Sequence, residues 1–198
     1  MRGTNVGWLD RVMGRRHAPH WTVPGIRFDV AEWELRRSSK KRMVWASEEG
    51  DVLSVDRLPG RPDLPPLYDL VSVRDRCRGL AESQGGELVS ADVVDVSGTR
   101  SVELIYKREQ LLAHAYSGML IVPARSVYFV LVLASVENGT PGVRDTLAAL
   151  ELAKQGKRGL ANSVADDPRY DALLPRHPLS KIRRGLGAIR ESLCLVEG

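Results

Sequence analysis

The sequence predicts an α+β protein in which helices sandwich a mainly antiparallel β-sheet. Segments that alternate apolar and polar residues, typical of half-buried strands, lie before and after one amphipathic helical segment. Two more helical patterns follow the last strand. The order is therefore strands, helix, strands, helix, helix, which is typical of the α+β class.

The first strand-rich block predicts an antiparallel meander. Apolar and polar residues alternate over 26–30 and again over 33–35, and apolar runs follow at 43–46 and 52–55. The intervening sequences Ser-Ser-Lys-Lys (38–41) and Glu-Glu-Gly-Asp (48–51) are typical of tight turns. We therefore expect successive strands joined by short hairpins.

A helix is predicted after a proline-rich linker at 58–66. Its apolar residues recur at helical spacing, and Gly85 and Gly86 mark its end. The apolar residues are Leu67, Leu70, Val71, Val73, Cys77, Leu80 and Ala81.

Four further strands are predicted near 89–95, 102–107, 111–121 and 127–136. The last run is apolar on both faces, which indicates a strand covered on both faces. We expect three layers, or a sheet with one face partly closed by the tails.

Two helices are predicted in the last third of the chain. The first covers about 143–155, with Leu147, Leu150 and Leu152 as its apolar positions. In the second, apolar residues step by three and four, which predicts packing along one seam against the protein's own sheet or in a homodimer. These are Leu179, Ile182, Leu186, Ile189 and Leu193. Gly185 and Gly187 within this helix suggest close packing.

Three regions are predicted along the chain: an N-terminal arm at 1–22, a sandwich domain at 23–157 and a C-terminal extension at 158–198. The arm carries a short apolar stripe and favours docking on its own domain over docking on a partner. The stripe consists of Val6, Trp8, Leu9, Val12 and Met13.

The charge is unevenly distributed along the 198 residues. The net charge of +4 divides into +6 over 1–45, −5 over 46–167 and +3 over 168–198. Neither a membrane-spanning run nor a secretory signal is recognisable, so we expect a cytoplasmic protein. Cys77 and Cys194 are expected to be small core residues rather than a disulfide or a nucleophile.

No catalytic, metal or nucleotide motif stands in the sequence, and we expect no enzyme activity, no cofactor and no metal site. Pro19 between His17 and His20 disfavours a helical pair of metal ligands. His114, on a predicted strand, is the one candidate general base.

The order of strands and helices resembles the PsbP-like superfamily of α/β/α sandwiches over roughly residues 24–155. An early strand that ends near a tryptophan (26–33) and a late strand pair followed by a helix (118–155) carry the resemblance. The superfamily includes adaptor chaperones of type VI secretion and a Ran-binding import factor. The resemblance therefore implies binding and scaffolding rather than catalysis.

The leading hypothesis is a non-enzymatic cytoplasmic module that binds a protein, acting as an adaptor or chaperone for a secreted or assembled client. Its surface is expected on the sheet face turned away from the helix at 67–81. The expected contact residues are Trp45, Leu53, His114, Tyr116 and Tyr128.

Two alternatives remain open at this point. One is a pocket for a small molecule or lipid between sheet and helices. The other is nucleic-acid binding through the final helix and the basic 33–45 hairpin, where tryptophans interleave with Arg and Lys.

Overall fold

The computed structural model describes residues 20–23, 25–30, 33–110, 113–137, 142–156 and 164–196, with the backbone alone for 20–23. The strands within these residues are β1 His20–Val23, β2 Ile26–Asp29, β3 Glu34–Ser38, β4 Arg42–Ala46, β5 Val52–Pro59, β6 Glu87–Val96, β7 Thr99–Gln110, β8 Ala113–Pro123, β9 Val127–Val136 and β10 Cys194–Leu195. The helices within the same residues are α1 Leu70–Ser83, α2 Val143–Lys154 and α3 Pro178–Ser192, and a short 3-10 helix covers Pro168–Tyr170.

The main sheet contains seven antiparallel strands in the order β3-β4-β5-β9-β8-β7-β6. Its two meanders, β3 to β5 and β6 to β9, join where β5 pairs with β9 over Val52–Pro59. The turns were predicted correctly at 38–41 and 48–51, where Gly50 adopts a left-handed φ of 87°. The mainly antiparallel α+β prediction is confirmed.

Helix α1 covers about half of one face of the main sheet, the half formed by β6 and β7. It packs on β6 and β7 through Val73, Cys77 and Ala81, which are buried. The helix begins at Leu70 rather than at 67, because Asp69 caps it by accepting the Ser72 N–H at 3.1 Å. The hydroxyl and backbone N–H of Ser72 lower the pKa of the Asp69 carboxyl.

Helix α3 covers the opposite face, over β8 and β9. All five residues of the predicted seam are buried there against the protein's own sheet, so the seam is not available to a second copy. The two surfaces approach closely because Gly118 in β8 and Gly185 in α3 lack side chains. A Cβ at Gly118 would lie 2.5 Å from Ile182 of α3, and one at Gly185 would lie 2.5 Å from Leu133 of β9, whereas one at Gly187 would meet nothing within 4 Å.

A second, small sheet of order β1-β2-β10 extends the layer formed by α3. Phe28 of β2 meets Trp45 of β4 edge to face, with ring centroids 5.6 Å apart. The strand at 26–30 was predicted, but its continuation through 33–35 was not correct. The chain turns at Val30, which accepts the Trp33 N–H at 3.0 Å, and then enters β3.

Helix α2 buries a different face from the predicted one. Its buried residues are Arg144 and Ala148, whereas Leu150 is 55% exposed. The Arg144 guanidinium donates to Ser180 Oγ at 3.0 Å, Asp167 O at 2.7 Å and Asp171 Oδ1 at 2.8 Å. The buried Arg144 therefore links α2 to the segment before α3 by hydrogen bonds. The spacing of apolar residues does not reveal this role.

The C-terminal region predicted as an extension contributes to the main core through the seam of α3. The predicted arm lies outside the described residues up to position 19. Cys77 is buried as expected, and Cys194 is half-buried in β10. Among the described residues no helix is long and apolar enough to cross a membrane.

Candidate functional site: the open half of the sheet

Three of the five residues expected to contact a partner lie in the core. Trp45 and Leu53 are fully buried and Tyr116 is 3% exposed, because α3 and β2 cover the face turned away from α1. The covering layer forms from the last helix of the chain, which sequence reasoning had set apart as an extension. This face does not offer these side chains to a partner.

The remaining two expected residues lie apart from each other. Tyr128 is half-buried on the opposite face, where it packs with the α1 cluster. His114 lies at the end of β8 nearest α2, with 27% of its side chain exposed. The structure therefore does not bring the five residues together as one surface.

A polar cluster surrounds His114 and Tyr116 at the start of α3. The His177 Nε2 lies 3.0 Å from Glu137 Oε1, and Glu137 Oε2 accepts the backbone N–H of His114 at 2.9 Å. The Tyr116 ring packs edge to face on His177. Burial raises the pKa of the Tyr116 hydroxyl, and nearby carboxylates add to this effect.

The geometry of His177 argues for a structural role. Its Nδ1 accepts the N–H of Leu179 at 3.2 Å and so caps α3, while Nε2 faces Glu137. Both ring nitrogens are therefore engaged, which leaves none for general-base chemistry. Glu137 is buried, which disfavours its charge, but its pKa is lowered because the hydrogen bonds with His177 and His114 outweigh that cost.

An adjoining cleft of about 440 Å³ is lined by Glu137, His177 and Lys181 among others. The Lys181 ammonium contacts Asp51 at 2.6 Å and Glu49 at 2.9 Å. Burial works against its charge, but these two carboxylates raise the pKa of Lys181. The polar groups of Glu137, His177 and Lys181 are thus already paired within the protein, whereas Arg176, which also lines the cleft, is exposed.

The face that carries α1 is open over its other half. Helix α1 packs on β6 and β7, and no helix in the described part of the chain packs substantially on the same face of β4, β5 or β9. Strand register places a set of small and β-branched residues there. This open strip consists of Val44, Ala46, Val52, Ser54, Val130, Val132, Ala134 and Val136.

The open strip is partly accessible and mostly apolar, and the polar side chains on the same face of β5 are Ser54 and Asp56, which lies between Arg42 and Val130. Val52 and Val136 are each 40% exposed, and most of its other side chains are half-buried. Three adjacent strands, β4, β5 and β9, form its floor. At about 4.8 Å per strand this floor is roughly 10–14 Å wide, which matches the diameter of an α-helix.

The hairpin between β3 and β4 forms a basic rim beside the strip. All residues from Arg36 to Arg42 are exposed. Arg36 pairs with Glu34 at 2.8 Å and Arg42 with Asp56 at 3.5 Å, which leaves Arg37, Lys40 and Lys41 facing solvent. The tryptophans predicted to interleave here do not reach the surface as a set, because Trp45 is fully buried.

The open strip was missed because β9 was expected to be covered on both faces. Its second apolar face, residues 128, 130, 132 and 134, is visible in the sequence as a period of two. What the sequence does not reveal is that α1 lies over β6 and β7 only. The Glu137–His177 pair, 40 residues apart, has no local sequence signal.

Neither the protein-family models nor the curated protein sequences give a match to this chain. Similarity to solved structures is found at the level of the fold. The Ran-binding protein Mog1p of Saccharomyces cerevisiae superposes with a TM-score of 0.50 and 13% identity, over 87% of this chain and 91% of Mog1p.

A mutant of Mog1 gives the same TM-score and identity over 87% of this chain and 92% of that one. LpqN, a Mycobacterium tuberculosis protein involved in cell envelope biogenesis, aligns with a TM-score of 0.39 and 14% identity over 98% of this chain and all of LpqN. At 13% sequence identity, the likeness to Mog1p shows the fold alone.

Proposed function

We propose that this chain is a non-enzymatic module that binds a protein partner through the open strip. The observation that carries the proposal is the apolar floor formed by β4, β5 and β9, which the chain's described helices leave accessible. A contiguous apolar surface with a charged rim is typical of a protein-interaction site. Its width favours an amphipathic helix as the bound segment.

The polar cluster around His114 and His177 supports the non-enzymatic part of this proposal. Both nitrogens of His177 are used structurally, and the Nδ1 of His114 is buried without a hydrogen-bond partner among the described residues. A general base needs an accessible lone pair directed at its substrate. These histidines are better explained as supports for α3 and the ends of β8 and β9.

The likeness to Mog1p supports the proposal by analogy of fold, since that protein is Ran-binding. Within the proposal the chain is a PsbP-like superfamily member and acts in the cytoplasm, as an adaptor or chaperone for an exported or assembled client. We propose that the partner of this chain presents a helical segment with an apolar face. The partner of Mog1p is not carried over to this chain.

The test is quantitative capture of a partner from a lysate of the cells that make the protein. We expect the double change Val52→Asp and Val132→Asp to reduce capture at least tenfold, because two carboxylates would be buried against an apolar segment. Intact mass spectrometry measures the stoichiometry of the captured species.

Val71→Asp provides the matched control, because Val71 is 71% exposed on α1 and lies outside the open strip. It introduces the same charge and should leave capture unchanged. Equal capture by all three proteins, or no stoichiometric partner for the wild type, would contradict the proposal. Circular dichroism and thermal melts establish that the variants fold.

A second candidate function rests on the basic rim. Arg37, Lys40 and Lys41 are exposed and have no carboxylate partner among the described residues, which favours a polyanion such as nucleic acid. If this function holds, Lys40→Ala with Lys41→Ala should weaken binding of single-stranded nucleic acid and reduce the slope of log K against log salt concentration by about 1.4. Salt-independent binding would exclude it.

A further inference from the structure

We propose that the proline-rich segment between β5 and α1 is a second binding surface, which docks in an aromatic-lined groove of a partner protein, of the kind found in WW domains. The exposed part of the segment that a groove would contact is Pro65, Pro66 and Tyr68, called here the proline surface. It contains none of the residues of the open strip. Three observations carry the inference: the backbone restraints of the segment, the contacts that hold it and the exposure of Tyr68.

The sequence of the segment favours polyproline II conformation. It runs Pro-Asp-Leu-Pro-Pro-Leu-Tyr over 62–68, a Pro-x-x-Pro spacing that continues as Pro-Pro-x-Tyr. Proline fixes its own φ at about −65°, and a residue that precedes proline is directed away from the helical region. Leu64 and Pro65 each precede a proline. Covalent geometry alone therefore favours an extended backbone at both residues.

One edge of the segment packs on its own domain. Leu64 and Leu67, three residues apart, both pack against the buried cluster beneath α1. Three residues make one turn of a polyproline II helix, so Pro65 and Pro66 lie on the other two edges. Pro66 is exposed and Pro65 is half-buried. A groove can therefore contact these two edges while the leucine edge stays in place.

Hydrogen bonds from the domain hold the backbone of the segment. Arg76 Nε donates to Asp63 O at 3.1 Å, and the same guanidinium pairs with the Asp63 carboxylate. Arg100 donates to Leu67 O at 2.6 Å. A ligand that is already ordered before it binds loses less conformational entropy on binding. The segment is therefore held ready for a partner at both ends of its proline pair.

Tyr68 is the most exposed of the large hydrophobic side chains in the described part of the chain, at 80%. It lies in the turn that Pro66 O closes by accepting the Asp69 N–H at 2.9 Å. Its ring belongs to none of the buried clusters of the described residues. Tyrosine is one of the residue types that most often dominate binding energy at interfaces. A partner's aromatic groove would cover the ring and leave the hydroxyl free to bond with water.

Arg61 gives the proline surface a direction. It is exposed at the start of the segment, and no carboxylate pairs with it among the described residues. Charges across an interface fix register and orientation more than they add affinity. We therefore expect the partner's groove to carry an acidic side chain at the end that receives Arg61, with Tyr68 at the other end.

The experiment is an NMR titration of an isotope-labelled WW domain that binds Pro-Pro-x-Tyr peptides, with the unlabelled full chain as the ligand. We expect saturable shifts of the amide signals that border the aromatic groove. Tyr68→Ala and Pro66→Ala should each weaken binding at least about tenfold, because each removes an exposed ring that the groove would cover. Thermal melts establish that both variants fold.

Leu173→Ala is the matched control, because Leu173 is 68% exposed and lies outside the segment. It should bind the WW domain as the wild type does. The double change Val52→Asp and Val132→Asp should also leave this binding unchanged, because the open strip is a different surface. The titration therefore reports on the proline surface independently of the proposed function.

A wild-type chain that produces no saturable shifts would overturn the inference. So would equal binding by Tyr68→Ala or Pro66→Ala, since the WW domain would then contact another part of the chain. Binding that the changes at Val52 and Val132 abolish would contradict it as well, because it would place the contact on the open strip.

Discussion

Gly118 allows the sheet and α3 to approach each other, because a side chain there would collide with two core residues. A Cβ would lie 2.5 Å from Ile182 Cγ2 and 2.6 Å from Leu186 Cδ1. We expect Gly118→Ala to lower the free energy of unfolding by about 1–3 kcal/mol through overpacking. Urea denaturation monitored by tryptophan fluorescence measures the change.

Gly187→Ala is the control for this prediction. A methyl group at Gly187 meets nothing within 4 Å, and alanine favours the helix by about 0.8–1.0 kcal/mol over glycine. The control should therefore stabilise the protein. If Gly118→Ala stabilised it equally, the close approach described here would be incorrect.

Glu137 makes a pH-dependent contribution to stability. Its folded-state pKa lies below the ordinary glutamate value of 4.5, so the unfolded chain binds more protons and the contribution is present above that value. We expect it to disappear as the pH falls from about 4.5 through the lower folded pKa. Glu137→Gln should remove this part of the acid slope in urea titrations at successive pH values.

Glu191→Gln, on the exposed side of α3, is the control for the acid slope. It removes one carboxylate without touching the Glu137–His177 pair. An unchanged slope in Glu137→Gln would mean that the hydrogen bonds of Glu137 with His177 and His114 do not stabilise the folded state.

At the scale of elements, α2 is held by a polar contact rather than by an apolar stripe. Arg144 is 1% exposed and reaches Asp171 and Ser180. We expect Arg144→Met to lower the free energy of unfolding by about 3–5 kcal/mol, because it leaves buried acceptors without their donor. Denaturation together with hydrogen exchange of residues 164–171 tests this.

Arg169→Met is the matched control, because Arg169 also lies over the Tyr170 ring, 4.9 Å from its centroid, but is largely exposed. Its change should cost less than about 1 kcal/mol. Similar costs for both variants would show that Arg144 has no special role.

The strands and turns were predictable because their signals are local. Alternation places every second residue on one face, and glycine at a left-handed turn is a property of the tripeptide. The seam of α3 was predictable for the same reason. The burial of Arg144 was not, since the pattern of Leu147, Leu150 and Leu152 gives no indication that a cation faces inward.

At the scale of the whole molecule, sequence reasoning predicted a two-faced sheet and allowed that the tails close one face, as α3 does, but it placed the contact residues on that covered face. Trp45, Leu53 and Tyr116 were expected to be accessible, yet α3 covers them. Which face of the sheet is covered depends on where α1 and α3, roughly a hundred residues apart in the sequence, pack against it. Such long-range placement leaves no periodic signal in the chain.

The placement of α3 also affects how the protein forms during synthesis. The helix that closes the main core, 178–192, leaves the ribosome after all seven strands of the large sheet. Until then the nascent chain carries an apolar sheet face that includes Trp45, Leu53 and Leu131 without its cover. Pairing of β5 with β9 must likewise wait for residues some 75 positions later. The partly synthesised chain is therefore the form most exposed to aggregation, and full burial of the core begins only after residues 178–192 have been synthesised.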